Sequence, residues 1–325
     1  MQFITRAYNT IEFNNDLKTI TKKSDEERLK DEISYYNSLP PSVSLYFPRV
    51  FRTKTDKLPF QFEMEYYSYN NLGHYYLNNS YDEKFWNSVF ETLFSSINYF
   101  KKFKGTFDNE KVNEYCKSMF ITKTIKEFDS LKNKFEYFNE LTKHEFIFLN
   151  DKKYKNFLQI WDSLQEKVNL IISKQKNFNI IHGDMCFSNI LYGYTDVSKY
   201  KTVKYVDPRG SFGEKGIYGS SLYDYAKLLH SIDGNYEAFI YDKFELLAND
   251  NNFQLKFAIP DNNNILANKC FKNLLNEEEY KDAKLIEGLI FIGMCARHYD
   301  SFERQKGMYV TGIRILNEVL NEDLC

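Results

Sequence analysis

Residues 182–189 read His-Gly-Asp-Met-Cys-Phe-Ser-Asn, and a second carboxylate, Asp207, closes the run Thr202-Val203-Lys204-Tyr205-Val206. One short stretch thus supplies a proton acceptor and two hard oxygen ligands. A carboxylate at the position of Asp184 can orient a hydroxyl and take its proton late in a displacement. Asn189 and Asp207 offer one neutral and one charged oxygen. Mg²⁺ takes such a set when phosphate oxygens and water complete its shell. Together these are the parts of phosphoryl transfer from a nucleoside triphosphate to a hydroxyl. His182 reads as a brace for the loop through hydrogen bonds rather than as the base.

A triphosphate also needs a cation and elements to hold it. The N-terminal residues alternate as short β-prone runs, Phe3–Arg6, Thr10–Phe13 and Leu17–Lys22, with Asn14-Asn15-Asp16 as the turn between the last two. Alternation along Leu17–Lys22 puts Ile20 and Lys22 on one face, so that Ile20 packs on a nucleotide base while Lys22 reaches the phosphates. Ser24 with Glu27 forms a capping-box pattern opening a helix that carries Leu29, Ile33 and Tyr36 on one stripe and stops at Pro40-Pro41. Glu32 on that helix is the expected partner of Lys22; Lys18, on the same strand face, and the adjacent Lys23 are the alternatives. Two further strands are expected near Pro48–Arg52 and Phe60–Glu65.

From Asn70 onward the pattern is mainly helical. Phe85, Val89, Leu93, Ile97 and Phe100 recur at helical spacing, as do Phe157, Trp161, Leu164 and Val168. Asn179-Ile180-Ile181 is a short strand that places His182 at its end. Residues 189–192 and 202–206 are expected to pair as a hairpin presenting Asn189 and Asp207. A Gly-containing loop follows from Gly210 to Gly219, and then helices to the end. The segments 249–252 and 261–264, rich in Asn and Asp, read as polar loops.

With His182-Gly183-Asp184, Asn189, Asp207 and the later Tyr223-Asp224-Tyr225-Ala226-Lys227-Leu228, the chain resembles the aminoglycoside phosphotransferase and choline kinase superfamily. These are small-molecule kinases on a protein-kinase-like fold. The resemblance implies an α+β, two-lobe architecture. A small antiparallel sheet with one helix would form an N-lobe over residues 1–67, and a larger, mainly helical C-lobe would span 68–325. It implies ATP and Mg²⁺ as cofactors and Asp224 as the helix carboxylate that anchors the 182–189 loop from behind. The segment Phe62–Tyr67 is similar to the one joining the lobes. Met64 would then border the adenine, and Glu65 and Tyr66 would offer it main-chain groups; an ordinary edge strand is the alternative. Gly183 stands where protein kinases carry the Arg that meets an activation-loop phosphate, which argues against a phosphorylation-switched protein kinase.

Two departures stand out. No glycine precedes Gly73, so there is neither a Walker loop nor a glycine-rich flap. The turn Ala7-Tyr8-Asn9-Thr10 would have to cover the phosphates, with Thr10 assisting. Pro208-Arg209 follows Asp207 where choline kinases carry an acidic residue, which counts against choline. Arg209 is either a fork for a carboxylate or phosphate, or a loop residue tied to Glu214 or Asp224. Arg297 and His298 are candidates for the acceptor pocket. The Asp207-Pro208-Arg209-Gly210 variant resembles phosphotransferases of bacterial surface-polysaccharide pathways, which implies a sugar or polyol acceptor over an amino alcohol or an aminoglycoside.

Composition narrows the partners. The 325 residues carry 43 Lys and Arg against 45 Asp and Glu, a net charge of -2 that makes no case for nucleic acid. Five cysteines without a C-x-x-C pair point to a reducing compartment rather than to zinc or a disulfide framework. The N-terminus lacks a signal-like apolar stretch and no run reaches membrane-span length, so the expected location is the cytoplasm. The expected partner is a small-molecule acceptor, and the sequence leaves the oligomeric state open. Two other classes compete: a nucleotide-binding pseudokinase, and a metal-dependent hydrolase using His182, Asp184 and Asp207.

Overall fold

The computed structural model describes residues 9–194 and 201–321. The expected strand Phe3–Arg6, residues Ala7 and Tyr8 of the phosphate-covering turn, and Cys325 lie outside the described residues.

Four antiparallel strands build the N-terminal sheet: β1 (Asn9–Asn14), β2 (Thr19–Ser24), β3 (Val50–Lys54) and β4 (Phe60–Glu65), in the order β1-β2-β4-β3. The turn after β1 forms because the Asn14 side-chain oxygen accepts the amides of Asp16 and Leu17, both at 3.0 Å. Ile20 lies opposite Met64 and Lys22 opposite Phe62, so these four side chains share one buried face. Helix α1 (Arg28–Ser38) lies beside the sheet and buries Leu29, Ile33 and Tyr36. It ends before Pro40-Pro41, as the proline pair requires. The expected capping box does not form. Ser24 stays paired with Phe60 as the last residue of β2, its hydroxyl accepts the Glu26 amide at 3.2 Å, and α1 opens four residues later without a side-chain cap.

From Leu72 the chain is mostly helical. Helices Glu83–Phe100 and Phe157–Lys174 bury the stripes legible in the sequence, except that Trp161 is only partly buried, and each is entered through a polar side-chain cap, Asp82 and Asn156 respectively. Helices Ser221–Ile232, Glu277–Met294 and Phe302–Asn321 complete the core. Among the described residues, no helix is long and apolar enough to cross a membrane.

The mainly helical expectation overlooked a four-stranded sheet in this part. Phe146–Leu149 and Lys152–Lys155 form one hairpin, Phe244–Asn249 and Asn252–Phe257 another, and a short parallel pairing joins them. Their turns use Asn150, Asp151 and Asp250 at positive φ, residue types that tolerate the left-handed region. The segment 249–252 is therefore a hairpin turn. Segment 261–264 is not a plain loop either. Asn263 is fully buried at the start of helix Asn263–Lys272, where its amide donates to the carbonyls of Tyr76 at 2.9 Å and Asn79 at 2.8 Å.

Candidate active site

Strand Asn179–Ile180 pairs with Tyr218–Gly219, and His182 follows two residues beyond it. Tyr35 of α1 donates to the Ile181 carbonyl at 2.9 Å. Behind the loop, the Asp224 carboxylate accepts the amides of His182 at 2.8 Å and Gly183 at 2.7 Å. Burial pushes this carboxyl up to about 7, with the two amide bonds pulling the other way. Gly183 is required on two counts. Its φ is +76°, and a Cβ there would sit 2.8 Å from the Cβ of Arg209.

His182 braces the loop from inside. Its Nδ1 accepts the Asp184 amide at 3.2 Å, which puts the ring proton on Nε2, 2.9 Å from the Val206 carbonyl. The ring lies nearly parallel to Phe47 and is fully buried. Burial pulls its pKa down to about 4, so it is neutral at pH 7 and unsuited to take a proton there. The sign of the linked stability follows. An unfolded His protonates near its ordinary value, whereas the folded one resists until about 4. Its contribution is thus complete above the ordinary value and is lost as pH falls from there toward 4, by at most about 3 kcal/mol. Thermal unfolding from pH 7.5 to 4.5 should show this slope, and His182→Gln should flatten it. An unchanged slope in the variant would discard the assignment.

On the side of the N-terminal sheet, the Lys22 ammonium bridges Glu32 at 2.7 Å and Asp207 at 2.5 Å, joining that sheet to the hairpin of Ile190–Tyr194 and Lys201–Tyr205. Burial alone would raise Asp207; the charge and hydrogen bond of Lys22 outweigh it and hold the carboxyl below its ordinary value. Burial pushes Glu32 up to about 7 against the pull of Lys22. Lys18 and Lys23 instead reach outward to Asn15 and Glu12. Asp207 holds a left-handed φ of +56°, and the Val206 amide just before it is tied to the Asn189 carbonyl at 3.0 Å. The Asn189 side-chain nitrogen donates to the Asp184 carbonyl at 2.9 Å, which leaves its Oδ1 available to a cation. Among the described residues, no group of three or more His, Cys, Asp or Glu could hold a metal. The pair Asn189 and Asp207 fits Mg²⁺, which relies on phosphate and water oxygens for the rest of its shell.

Asp184 itself is held by a residue without an assigned role at the sequence level. Lys227 Nζ lies 2.9 Å from Asp184 Oδ1, with its side chain 4% exposed. The signal was present: Asp224 and Lys227 stand three apart on one helix, so both can face the same loop, and a Lys followed by Leu228-Leu229 is unusual for a solvated face. Arg28, the first residue of α1, approaches Asp184 Oδ2 at 4.0 Å. Both line a cavity at Asp184 together with Lys123, Arg209, Tyr223 and Arg297. Nothing in the local sequence around Lys123 marks it, because helix Lys123–Lys134 is brought here only by tertiary packing.

Other expected site residues are placed differently from one another. Thr10 lies in β1 opposite Lys23, on the sheet face turned away from Lys22, rather than in a covering turn. Met64 is buried beside Ile20 on the Lys22 face. The amides of Glu65 and Tyr66 already donate to the carbonyls of Arg49 at 2.9 Å and Lys18 at 3.0 Å, so these donors are committed to the sheet and its turn. Arg209 makes no salt bridge to Glu214 or Asp224. Glu214 accepts from Tyr115, Asp224 is taken by the loop amides, and the guanidinium stands 5.9 Å from the Tyr223 ring centre. Arg297 lines the cavity while bound to Glu127. His298 does not line it; it is buried with its ring 6.1 Å from that of Tyr236.

Residues 92–212, somewhat over a third of the chain, match the model of the ecdysteroid kinase-like family. The matched segment includes Asp184, Asn189 and Asp207 and stops before Asp224. A search of curated proteins gives no match. Among solved structures, a point mutant of aminoglycoside 2'-phosphotransferase-IIIa in complex with GDP is similar over 99% of this chain and 91% of that one, at 11% identity and a TM-score of 0.52. A choline kinase from Cryptosporidium parvum Iowa II is similar over 100% and 90%, at 11% identity and a TM-score of 0.47. The chain has the protein-kinase-like fold of small-molecule kinases.

Proposed function

We propose that this chain is a small-molecule kinase that transfers the terminal phosphoryl group of ATP to a hydroxyl of a small metabolite. The observation that carries the reading is the convergence of two carboxylate systems from opposite sides of the site. Lys22 and Glu32 come from the sheet and α1, Asp207 and Asn189 from the hairpin, and Asp184 lines a cavity. The nucleotide would lie between residues 1–67 and 68–325, its base against Ile20 and Met64. Lys22 would pair with the phosphates, while Asn189 and Asp207 would hold Mg²⁺, which neutralises charge on the transferring group when bound. Asp184 would orient the acceptor hydroxyl and accept its proton, with Lys227 holding that carboxylate through their ion pair. A metal hydrolase would require further ligands beside His182, whose ring nitrogens are both engaged in bracing the loop.

We read the acceptor as a sugar or polyol, of the kind built into surface polysaccharide, on the strength of the Asp207-Pro208-Arg209-Gly210 sequence. A reducing location such as the cytoplasm suits the four described cysteines, all free and buried. The test is a coupled ADP assay of the full chain with Mg·ATP and a panel of sugars, polyols, amino alcohols and aminoglycosides. Acceptor-dependent ADP release is the expected result. Tight Mg·ATP binding with no turnover on any acceptor would favour the pseudokinase instead.

A further inference from the structure

The cavity at Asp184 is unusually basic for a pocket that receives a hydroxyl. Five cations face it (Arg28, Lys123, Arg209, Lys227 and Arg297) against the single carboxylate of Asp184. Three of the five are matched. Lys227 is paired with Asp184 at 2.9 Å, Arg28 approaches the other oxygen of the same carboxylate at 4.0 Å, and Arg297 is held by Glu127. Glu127 is the acidic residue one turn along from Lys123 on the same helix, so its commitment to Arg297 removes the nearest local partner of Lys123.

That leaves two cations. Lys123 and Arg209 come from different elements and stand at similar distances from the Tyr223 ring, 6.0 and 5.9 Å from its centre. Neither forms an ion pair among the described residues, and the Arg209 Nε is buried without a hydrogen-bond partner. Burial, and then the charges of Arg209, Arg297 and Lys227, pull the Lys123 pKa well below its ordinary value. A guanidinium and an amine whose charged form is disfavoured, side by side with no ion-pair partner, are an arrangement that an incoming anion relieves by favouring the charged forms. A guanidinium supplies a planar donor fork matched to an oxyanion, and a lysine adds a compact point charge.

We propose that the acceptor is itself an anion, a hydroxylated metabolite already carrying a phosphate monoester, whose phosphate is seated between Lys123 and Arg209 beside Tyr223. The inference rests on the reading of Asp184 as the acceptor end of the site. A phosphate monoester carries a charge of about -1.5 to -2 at neutral pH, which answers two cations better than a carboxylate does. The same field repels ammonium groups, so it selects against polycationic aminoglycosides and choline by charge as well as by shape. It also places the chain after another phosphorylation or phosphate-bearing step, since its substrate arrives phosphorylated.

The test uses the full chain and two kinds of probe. Inorganic phosphate is titrated at constant ionic strength with thermal unfolding as readout, and acceptor affinity is measured by calorimetry for glucose, glycerol and ribose beside their phosphate monoesters, with gluconate and kanamycin. Phosphate should raise Tm, and at least one monoester should bind tenfold or more tighter than its parent. Lys123→Met and Arg209→Met should each remove the phosphate-induced shift and weaken monoester binding at least tenfold, whereas Lys22→Ala should retain the shift. Three results overturn the proposal: no shift with phosphate, a shift lost in Lys22→Ala but kept in the two Met variants, or tighter binding of gluconate, kanamycin or the parent sugars. None of these bears on whether ATP is the donor. Absence of Mg·ATP binding sinks the kinase reading instead, and phosphate binding at Lys123 and Arg209 remains measurable in that case.

Discussion

Asp184→Asn is expected to lower kcat by a factor of about 10² to 10⁴, the scale of a positioned general base, while Mg·ATP affinity stays within about twofold. The substitution keeps the shape of the side chain and removes its charge and its ability to take a proton. It also strips the buried Lys227 of its partner, a step that on its own destabilises. Loss of turnover must therefore be separated from loss of structure. The double variant Asp184→Asn with Lys227→Met removes the uncompensated cation and should recover thermal stability, yet it should recover none of the turnover. More than a tenth of the parent activity in Asp184→Asn, measured with an acceptor the parent uses, would show that another group takes the proton. Recovery of turnover in the double variant would show that Asp184 acts only by neutralising Lys227.

Asp207→Ala should abolish Mg²⁺-dependent ATP binding, lowering affinity by at least about a hundredfold, because it removes the charged ligand from a set that has only one neutral companion, Asn189. The same change cuts the bridge from Lys22 to the hairpin and leaves Lys22 with Glu32 alone. Calorimetry with ATP in the presence of Mg²⁺ and of EDTA separates the two effects. Loss of metal ligation erases the difference between the two conditions, whereas disturbance of Lys22 alone weakens both alike. Glu32→Gln is the companion variant. It loosens Lys22 without touching a metal ligand, so its ATP affinity should fall with the Mg²⁺ dependence intact. Mg·ATP affinity unchanged in Asp207→Ala would remove Asp207 from the metal site altogether.

Much of the site was legible because its parts are close in sequence or periodic. Asp184, Asn189 and Asp207 lie on one loop and the hairpin it opens, so spacing alone brings them together. Lys22 was legible because strand alternation puts it on the face of Ile20, and a helix one turn away supplies Glu32. The long amphipathic helices were equally plain, since a stripe of Phe and Leu over five turns has no other economical reading. The weaker signals failed for physical reasons. Ser24 with Glu27 carries the capping pattern, but pairing with Phe60 kept Ser24 in its strand. The two hairpins at 146–155 and 244–257 are short and half-exposed, so their periodicity is faint and only their pairing stabilises them.

Charge balance in the cavity at Asp184 was beyond the reach of any local reading. Arg28, Lys123, Arg209, Lys227 and Arg297 belong to separate segments; Arg209 and Arg297 were legible as candidates, whereas nothing local marks Arg28 or Lys123. Whether a cation is neutralised depends on which carboxylate packs beside it: Lys227 meets Asp184, Arg297 meets Glu127, and Lys123 and Arg209 meet neither. By itself, the sequence determined which candidate groups meet, because they and the elements presenting them follow from spacing and periodicity. Only the tertiary structure decided the character of the pocket, because a local pattern cannot carry the partners that long-range packing assigns to each charge.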